Sequence, residues 1–231
     1  MVYLEDLLKA HDFPQAVDAI AKDFRAAHNF PEIHQLGIVV PDVEEAAARL
    51  EAQGIGPFFI AASALPFWNE RGQLKPYRGK LGLACHQGFE LELLEPGQGS
   101  SFYQSCVDPE CRMVVQHLGF RVKDVDAQAR ALEKSGSATW VRGRVQQFPL
   151  KANFAYMDTR DQAGIILEFI DMRLFGLPLS VPGGVYHALG RVEKAVGIRS
   201  LSLRSVTCVP WCEAAGGADG AFGEGCSDSR T

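Results

Sequence analysis

Two stretches decide how this sequence folds: QLGIVVPDVEEAAARL at residues 35–50 and HLGFRVKDVDAQARAL at residues 117–132. The second begins 82 residues after the first (117 − 35), and Leu, Gly, Val, Asp, Val, Ala and Leu recur at matched places. A repeat of this kind indicates a duplicated supersecondary unit. We therefore expect two copies of one module.

Each copy opens as a strand followed by a helix. A short run of branched and alternating apolar residues predicts the strand. Asp42 and Asp124 are then placed to cap the helix N-terminus, with acidic residues in the first turn. Gly54 and Gly136 are placed to end the two helices.

Three more strands are predicted in each copy, which makes the module βαβββ. The last strands repeat as GFELELL at 88–94 and GIILEFI at 164–170, which are 76 residues apart (164 − 88). The first copy therefore has six more loop residues (82 − 76), and we expect this insertion in the loop at 66–79. The remaining predicted strands are 57–60, 80–85, 139–142 and 153–158.

The predicted architecture is α+β, with two tandem βαβββ modules that form a cupped mixed sheet. The modules are residues 32–96 and 114–171 of one domain, 32–171. Residues 1–31 are expected to form a helical extension. Residues 172–213 are expected to form an irregular extension with one short helix at 185–196, followed by a disordered Gly-, Ala- and Ser-rich tail at 214–231.

Composition excludes several classes of protein. The 231 residues are 47% hydrophobic with a formal net charge of −5, which is ordinary for a globular protein and offers no basic surface for nucleic acid. Glu5, Asp6 and Lys9 interrupt the N-terminal apolar residues, so no signal peptide is predicted. No apolar run approaches the ~18 residues of a membrane span. We expect a cytoplasmic protein.

The six cysteines are expected to be reduced thiols in that compartment. Cys208 and Cys212 form a C-x-x-x-C pair near Cys226. A zinc site there is the minor alternative, because the spacing is unusual and no histidine lies nearby.

The segments IHQLGIVVPDVEEA and VQHLGFRVKDVDA, with the closing segments LELLEP and LEFID, resemble those of the vicinal-oxygen-chelate superfamily. This superfamily includes glyoxalase I, methylmalonyl-CoA epimerase-like proteins and extradiol dioxygenases. The resemblance covers about residues 32–171 and is closest to the epimerase-like branch. It implies a cup around a divalent metal, with one ligand from the first and one from the last strand of each module.

By this resemblance the metal ligands are Gln35, Glu92, His117 and Glu168. His34 is the alternative to Gln35. His117 lies seven residues before its aspartate (124 − 117), and Gln35 has the same spacing (42 − 35), whereas a shift of one residue turns a strand side chain to the opposite face. Amide, carboxylate and imidazole donors suit Zn, Ni, Co, Mn, Mg or Fe.

The resemblance implies a metal-dependent isomerase, epimerase or lyase that removes a proton next to a carbonyl group. Glu168 is the first choice of base and Glu92 the second. Glu168 lies in an apolar run where an unpaired carboxylate would be costly. Glu90, on the same face as Glu92, is either a solvent-facing residue or a further acid in the cup.

Two other functions remain open. One is a non-haem iron dioxygenase of the extradiol type with His34, His117 and Glu168 as its 2-His-1-carboxylate triad. The other is a metal-free binding protein of the same fold. A small-molecule partner is expected in every case, and a homodimer is compatible with the resemblance. Candidates for an apolar substrate wall are Phe58, Phe59, Trp68, Trp140, Phe154 and Tyr156, and those for an anionic group are Arg78, Arg142 and Arg144.

Overall fold

The computed structural model describes residues 1–197 and 201–203. The N-terminal extension is helical as predicted, apart from a two-residue strand. It buries Leu4, Phe13 and Val17 in the core of the repeat. Its elements are β1 (Val2–Tyr3), α1 (Leu4–Leu8), α2 (Phe13–Asp18) and α3 (Lys22–Ala27).

The first copy has the predicted order of strand, helix and three strands. Asp42 caps the helix, since its Oδ1 accepts a hydrogen bond of 2.8 Å from the backbone N–H of Glu45. The elements are β2 (Gln35–Val39), α4 (Val43–Glu51), β3 (Phe59–Glu70), β4 (Gln73–His86) and β5 (Phe89–Leu94).

The second copy repeats this order with one additional helical turn. Asp124 caps its helix in the same way, with a hydrogen bond of 2.9 Å from the N–H of Ala127. A 3-10 turn at Gln104–Cys106 lies in the linker between the copies. The elements are β6 (Val114–Arg121), α5 (Val125–Lys134), β7 (Ala138–Gln147), β8 (Leu150–Asp158), α6 (Arg160–Ala163) and β9 (Ile166–Leu174).

The extra residues of the first copy lie at 66–79 as predicted, but the prediction that they form a loop was wrong, because they form the end of a long hairpin. Strands β3 and β4 pair antiparallel out to Glu70 and Gln73. The chain turns at Arg71 and Gly72, both with positive φ, which suits the twist of a β-hairpin. The first residues of β4 are mostly exposed, so no alternation of buried and exposed positions marked them as a strand.

Eight strands of the described chain form one mixed sheet, as predicted. The sheet closes into a barrel, whereas an open cup was expected. The strand order is β2-β5-β4-β3-β7-β8-β9-β6, and β6 pairs with β2 again. The β2–β5 and β6–β9 pairs are parallel, and the others are antiparallel. Pairing of Phe67–Glu70 with Val141–Arg144 joins the long hairpin to the second copy.

Alternation along the strands divides the core into two layers. Leu36, Ile38 and Leu118 belong to the outer layer, with helix residues such as Val43 and Leu50. The inner layer fills part of the barrel and is rich in aromatic residues. Its buried apolar members are Val39, Trp68, Tyr77, Leu94, Phe102, Tyr103, Val141, Phe154, Tyr156 and Ile166.

The C-terminal extension is more regular than expected. It contains β10 (Leu177–Pro178), α7 (Gly183–Val196) and β11 (Leu201–Leu203), so the predicted helix at 185–196 is confirmed. Glu193 of α7 is buried, and its Oε2 accepts a hydrogen bond of 2.9 Å from the N–H of Ile60 in β3.

Part of this extension falls outside the described residues, including the predicted tail at 214–231 and the cysteines at 208, 212 and 226. Among the helices that are described, none combines the length and apolarity needed to cross a membrane.

Candidate metal centre

Three of the four predicted ligands meet inside the barrel. Glu92 of β5, His117 of β6 and Glu168 of β9 each offer a donor atom within 4.8 Å of the other two. The Nε2 atom of His117 lies 3.4 Å from Oε2 of Glu168 and 3.7 Å from Oε2 of Glu92. His117 and Glu168 are almost fully buried, and the Glu92 side chain is 15% exposed.

Gln35, the fourth predicted ligand, lies beside this cluster. It is 4% exposed and pairs with Gly119 of β6 in the antiparallel ladder. A Cβ atom built on Gly119 would lie 2.7 Å from Oε1 of Gln35 and 3.4 Å from Oε2 of Glu168. The amide oxygen therefore points toward the same part of the interior as the Glu168 carboxylate.

The repeated Leu-Gly of the two first strands explains how these side chains fit. Gly37 pairs with His117, and Gly119 pairs with Gln35. A Cβ on Gly37 would overlap the His117 ring, and a Cβ on Gly119 would press on the Gln35 amide. Each copy thus supplies the glycine that makes room for the other copy's polar side chain.

The three ionisable groups change one another's proton affinity. Burial lowers the pKa of His117, but the neighbouring Glu168 and Glu92 carboxylates outweigh it and raise this pKa to about 9. Burial raises the pKa of Glu92 to about 7, an effect that His117 opposes and the charge of Glu168 reinforces. Near neutral pH the cluster therefore holds protons that a bound cation would displace.

The His117 ring is oriented by its neighbour in the sequence. Its Nδ1 lies 2.8 Å from Oε1 of Gln116. When Nδ1–H donates to that oxygen, Nε2 keeps its lone pair and faces the carboxylates. This is the arrangement in which an imidazole binds a metal while its second nitrogen is held by a hydrogen bond.

The donor set fits a divalent cation. Gln35 Oε1, His117 Nε2 and Glu168 Oε2 are buried, and none has a hydrogen-bond partner within residues 1–197 and 201–203. Native proteins rarely leave such groups without a hydrogen bond, so the cluster is suited to hold a cation. Two carboxylates, one imidazole and one amide oxygen suit a borderline or hard ion.

His34, the alternative first-strand ligand, lies outside the cluster of three. Its Nε2 is 3.6 Å from Oε2 of Glu90, and its side chain is 26% exposed. Glu90 itself is not solvent-facing: it is 4% exposed and accepts a hydrogen bond of 2.9 Å from Nε2 of Gln35. Arg121, which the sequence did not suggest, lies 3.9 Å from the same carboxylate.

Aromatic side chains border the cluster. Of the predicted wall residues, Trp68, Phe154 and Tyr156 are buried in the inner layer with Trp140 at its margin, whereas Phe58 lies in the outer layer. The Tyr156 and His117 rings are 4.9 Å apart. The predicted arginines lie elsewhere: Arg142 pairs with Asp126, and Arg144 lies over the Phe67 ring.

The linker between the copies supplies two wall residues that sequence reasoning missed. Phe102 and Tyr103 are buried against the inner aromatic residues. The hydroxyl groups of Tyr103 and Tyr156 are 3.0 Å apart. No repeated pattern marked these residues, since they lie between the two copies.

A family model described as Glyoxalase/Bleomycin resistance protein/Dioxygenase superfamily matches residues 34–156. No curated protein matches the chain significantly.

Similar solved structures include a hypothetical protein from Bacillus halodurans C-125, with 16% identity, coverage of 60% of this chain and 92% of that one, and a TM-score of 0.42. Methylmalonyl-CoA epimerase from Mycobacterium tuberculosis has 17% identity, coverage of 62% and 93%, and a TM-score of 0.41. A triple mutant of 4-hydroxymandelate synthase from Streptomyces coelicolor has 15% identity, coverage of 72% and 56%, and a TM-score of 0.44.

The family model covers more than half of the chain, and its match includes both first strands. The protein therefore belongs to the Glyoxalase/Bleomycin resistance protein/Dioxygenase superfamily.

Proposed function

We propose that this protein is a metal-dependent isomerase, epimerase or lyase that removes a proton from carbon next to a carbonyl group. The observation that carries the proposal is the group of buried donor atoms on Gln35, His117 and Glu168, beside Glu92, that have no hydrogen-bond partner among the described residues. A divalent ion held by these four residues would stabilise the negative charge that develops on substrate oxygens as the proton leaves.

Glu168 is the proposed base. Its Oε2 is buried, has no hydrogen-bond partner in the described ranges, and faces the barrel interior. A carboxylate placed in this way is able to take a proton from a substrate carbon. Glu92 lies on the other side of His117 and is the second choice for this role.

The surrounding residues prepare the site for charge development. Tyr156 lies 4.9 Å from the His117 ring and its hydroxyl contacts that of Tyr103, so two buried aromatic side chains border the cluster, and a dry environment strengthens electrostatic interactions. The Gln116 contact fixes the His117 ring, so that Nε2 stays directed at the centre. By resemblance to the superfamily, the proposed substrate is a small molecule with neighbouring oxygen atoms.

The experiment is an exchange assay on the purified full chain. The protein is loaded in turn with Zn, Ni, Co, Mn or Mg and incubated with a panel of carbonyl metabolites in D2O. Mass spectrometry then measures deuterium incorporated into each metabolite. We expect exchange that requires metal, stops with chelator and is absent in His117→Ala, because His117 lies at the centre of the donor set.

Other outcomes would contradict the proposal. Oxygen consumption by the Fe(II)-loaded protein without deuterium exchange would assign it to the dioxygenases. Equal small-molecule binding with and without chelator, again without exchange, would assign it to the metal-free binding proteins.

A further inference from the structure

Gln35 is held at one end of its amide only. Its Nε2 donates a hydrogen bond of 2.9 Å to Oε1 of Glu90, and this bond is buried. Its Oε1 has no hydrogen-bond partner in the part of the chain that the structure describes. The free oxygen faces Gly119 and Glu168, at the proposed metal centre.

The chemistry of Glu90 determines which end of the amide faces the centre. Oε1 of Glu90 accepts the hydrogen bond from Gln35, so it selects the NH2 group of the amide and leaves the amide oxygen on the opposite side. An amide turned by half a rotation would direct NH2 toward the centre. Nitrogen of an amide NH2 group has no lone pair available for a metal, so that orientation removes a ligand.

Glu90 is itself buried beside two basic side chains. It is 4% exposed, and its Oε2 faces Arg121 at 3.9 Å and His34 at 3.6 Å. Glu90 is therefore directed at Gln35 through one oxygen and at basic side chains through the other.

The second copy has no carboxylate at the place that corresponds to Glu90. Gln35 pairs with Glu90 in the β2–β5 ladder, and His117 pairs with Ile166 in the equivalent β6–β9 ladder. His117 needs no carboxylate at that place, because Gln116 contacts its Nδ1. An amide ligand has two chemically different ends in one plane, and a neighbour has to distinguish them.

We propose that Glu90 is a positioning residue that fixes the Gln35 amide with its oxygen toward the metal centre. This inference rests on the proposed function, since it assumes that Gln35 is a ligand. It assigns Glu90 a role in metal affinity that acts through Gln35 and does not involve contact with the ion.

The test is a double-mutant cycle on the full chain with Co²⁺ as the probe. Glu90→Asp keeps the charge and shortens the side chain, so the carboxylate no longer reaches Nε2 of Gln35. Titration followed by visible absorption gives both the Co²⁺ affinity and the ligand-field spectrum. We expect Glu90→Asp to weaken binding about 10- to 100-fold and to alter the spectrum, as loss of an orienting neighbour does.

The same change is then made in the Gln35→Ala protein, where we expect no further loss, because the residue through which Glu90 acts is gone. Glu193→Gln is the matched control, since Glu193 is a buried carboxylate that bonds to β3 outside the centre. It should leave Co²⁺ affinity unchanged.

Three results would overturn the inference: wild-type affinity in Glu90→Asp, an equal loss in the Gln35→Ala background, or an unchanged spectrum. Absence of Co²⁺ binding by the wild type would reject the proposed function together with this inference. A cycle that behaves as expected in a protein without proton-exchange activity would reject the proposed function alone.

Discussion

The two copies of the module share their backbone and differ in the groups that they bring to the barrel interior. Gln35 and His117 occupy equivalent places, each against a glycine of the other copy. The residues that orient them differ. The Glu90 carboxylate on the neighbouring strand contacts the Gln35 amide, and the amide of Gln116, the preceding residue, contacts the His117 imidazole. The repeat thus preserves the position of the polar side chain. The residue that orients this side chain differs between the amide of one copy and the imidazole of the other.

The copies also differ in their hairpins. Strands β3 and β4 have 12 and 14 residues, against 10 and 9 in β7 and β8. The longer hairpin carries Trp68 and Tyr77 into the interior and supplies the β3–β7 pairing. The first copy therefore closes the barrel, and the second contributes the most buried ionisable groups.

The largest expected effect is a difference in catalytic role between Glu168 and Glu92, the carboxylates on the last strands of the two copies. Glu168→Gln should lower metal-dependent deuterium exchange about 10²- to 10⁴-fold, because it keeps an oxygen and removes the base. Glu92→Gln should lower it less. Exchange is measured by mass spectrometry on protein with verified metal content. Unchanged exchange in Glu168→Gln would assign the role of base to Glu92, so that the first copy and not the second would supply it.

The next prediction concerns the two interior glycines. Gly37→Ala should cost about 3 kcal/mol of unfolding free energy, at the upper end for overpacking, because its Cβ overlaps the His117 ring. Gly119→Ala should cost less, about 2 kcal/mol, because its Cβ would press on the amide and the Cβ of Gln35 without overlapping a ring. Urea denaturation measures both.

Gly184→Ala provides the control for these glycines, because a Cβ there meets no atom within 4 Å. It should be neutral or slightly stabilising in helix α7. Equal losses of unfolding free energy in Gly37→Ala and Gly119→Ala would contradict this prediction. They would mean that the His117 ring and the Gln35 side chain are packed equally tightly.

A smaller effect follows from the protons held by the cluster. The amide of Gln35 does not titrate, whereas the pKa of His117 is raised to about 9 and that of Glu92 to about 7. Co²⁺ affinity should therefore rise about tenfold per pH unit between pH 7 and 8, because one proton is displaced from His117, and more steeply below pH 7. Calorimetry in buffers of different ionisation enthalpy counts the protons released. Affinity independent of pH would exclude His117 as a ligand.

The smallest effect should be the same in both copies. Asp42→Ala and Asp124→Ala each remove one helix-capping hydrogen bond, and each should cost about 1 kcal/mol. Thermal denaturation compares the two variants. A difference larger than the cost of one cap would show that the two helices support the barrel unequally.

Much of the fold could be predicted from the sequence because the duplication makes local signals appear twice. Asp42 and Asp124, and the strands that contain Glu92 and Glu168, support each other across the repeat. The hairpin and the barrel closure could not be predicted in this way. They depend on pairing between β3 and β7, which only the first copy's extra residues make possible.

The candidate site was predictable to a similar degree. His117, Glu92 and Glu168 follow from strand positions and from resemblance, and the structure brings them together. Glu90 was visible as an acid on the face of Glu92, but its contact with Gln35 depends on the register between β2 and β5. Phe102 and Tyr103 lie in an unrepeated linker, so no pattern pointed to them.

The unpaired atoms in the barrel also affect the cooperativity of folding. A buried polar group without a partner costs about 1–3 kcal/mol, against a total stability of about 5–15 kcal/mol for a typical domain. Gln35 belongs to the first copy, and His117 and Glu168 belong to the second. Any ligand that satisfies all three atoms binds only when both copies are folded, and by mass action it makes them unfold as one thermodynamic unit.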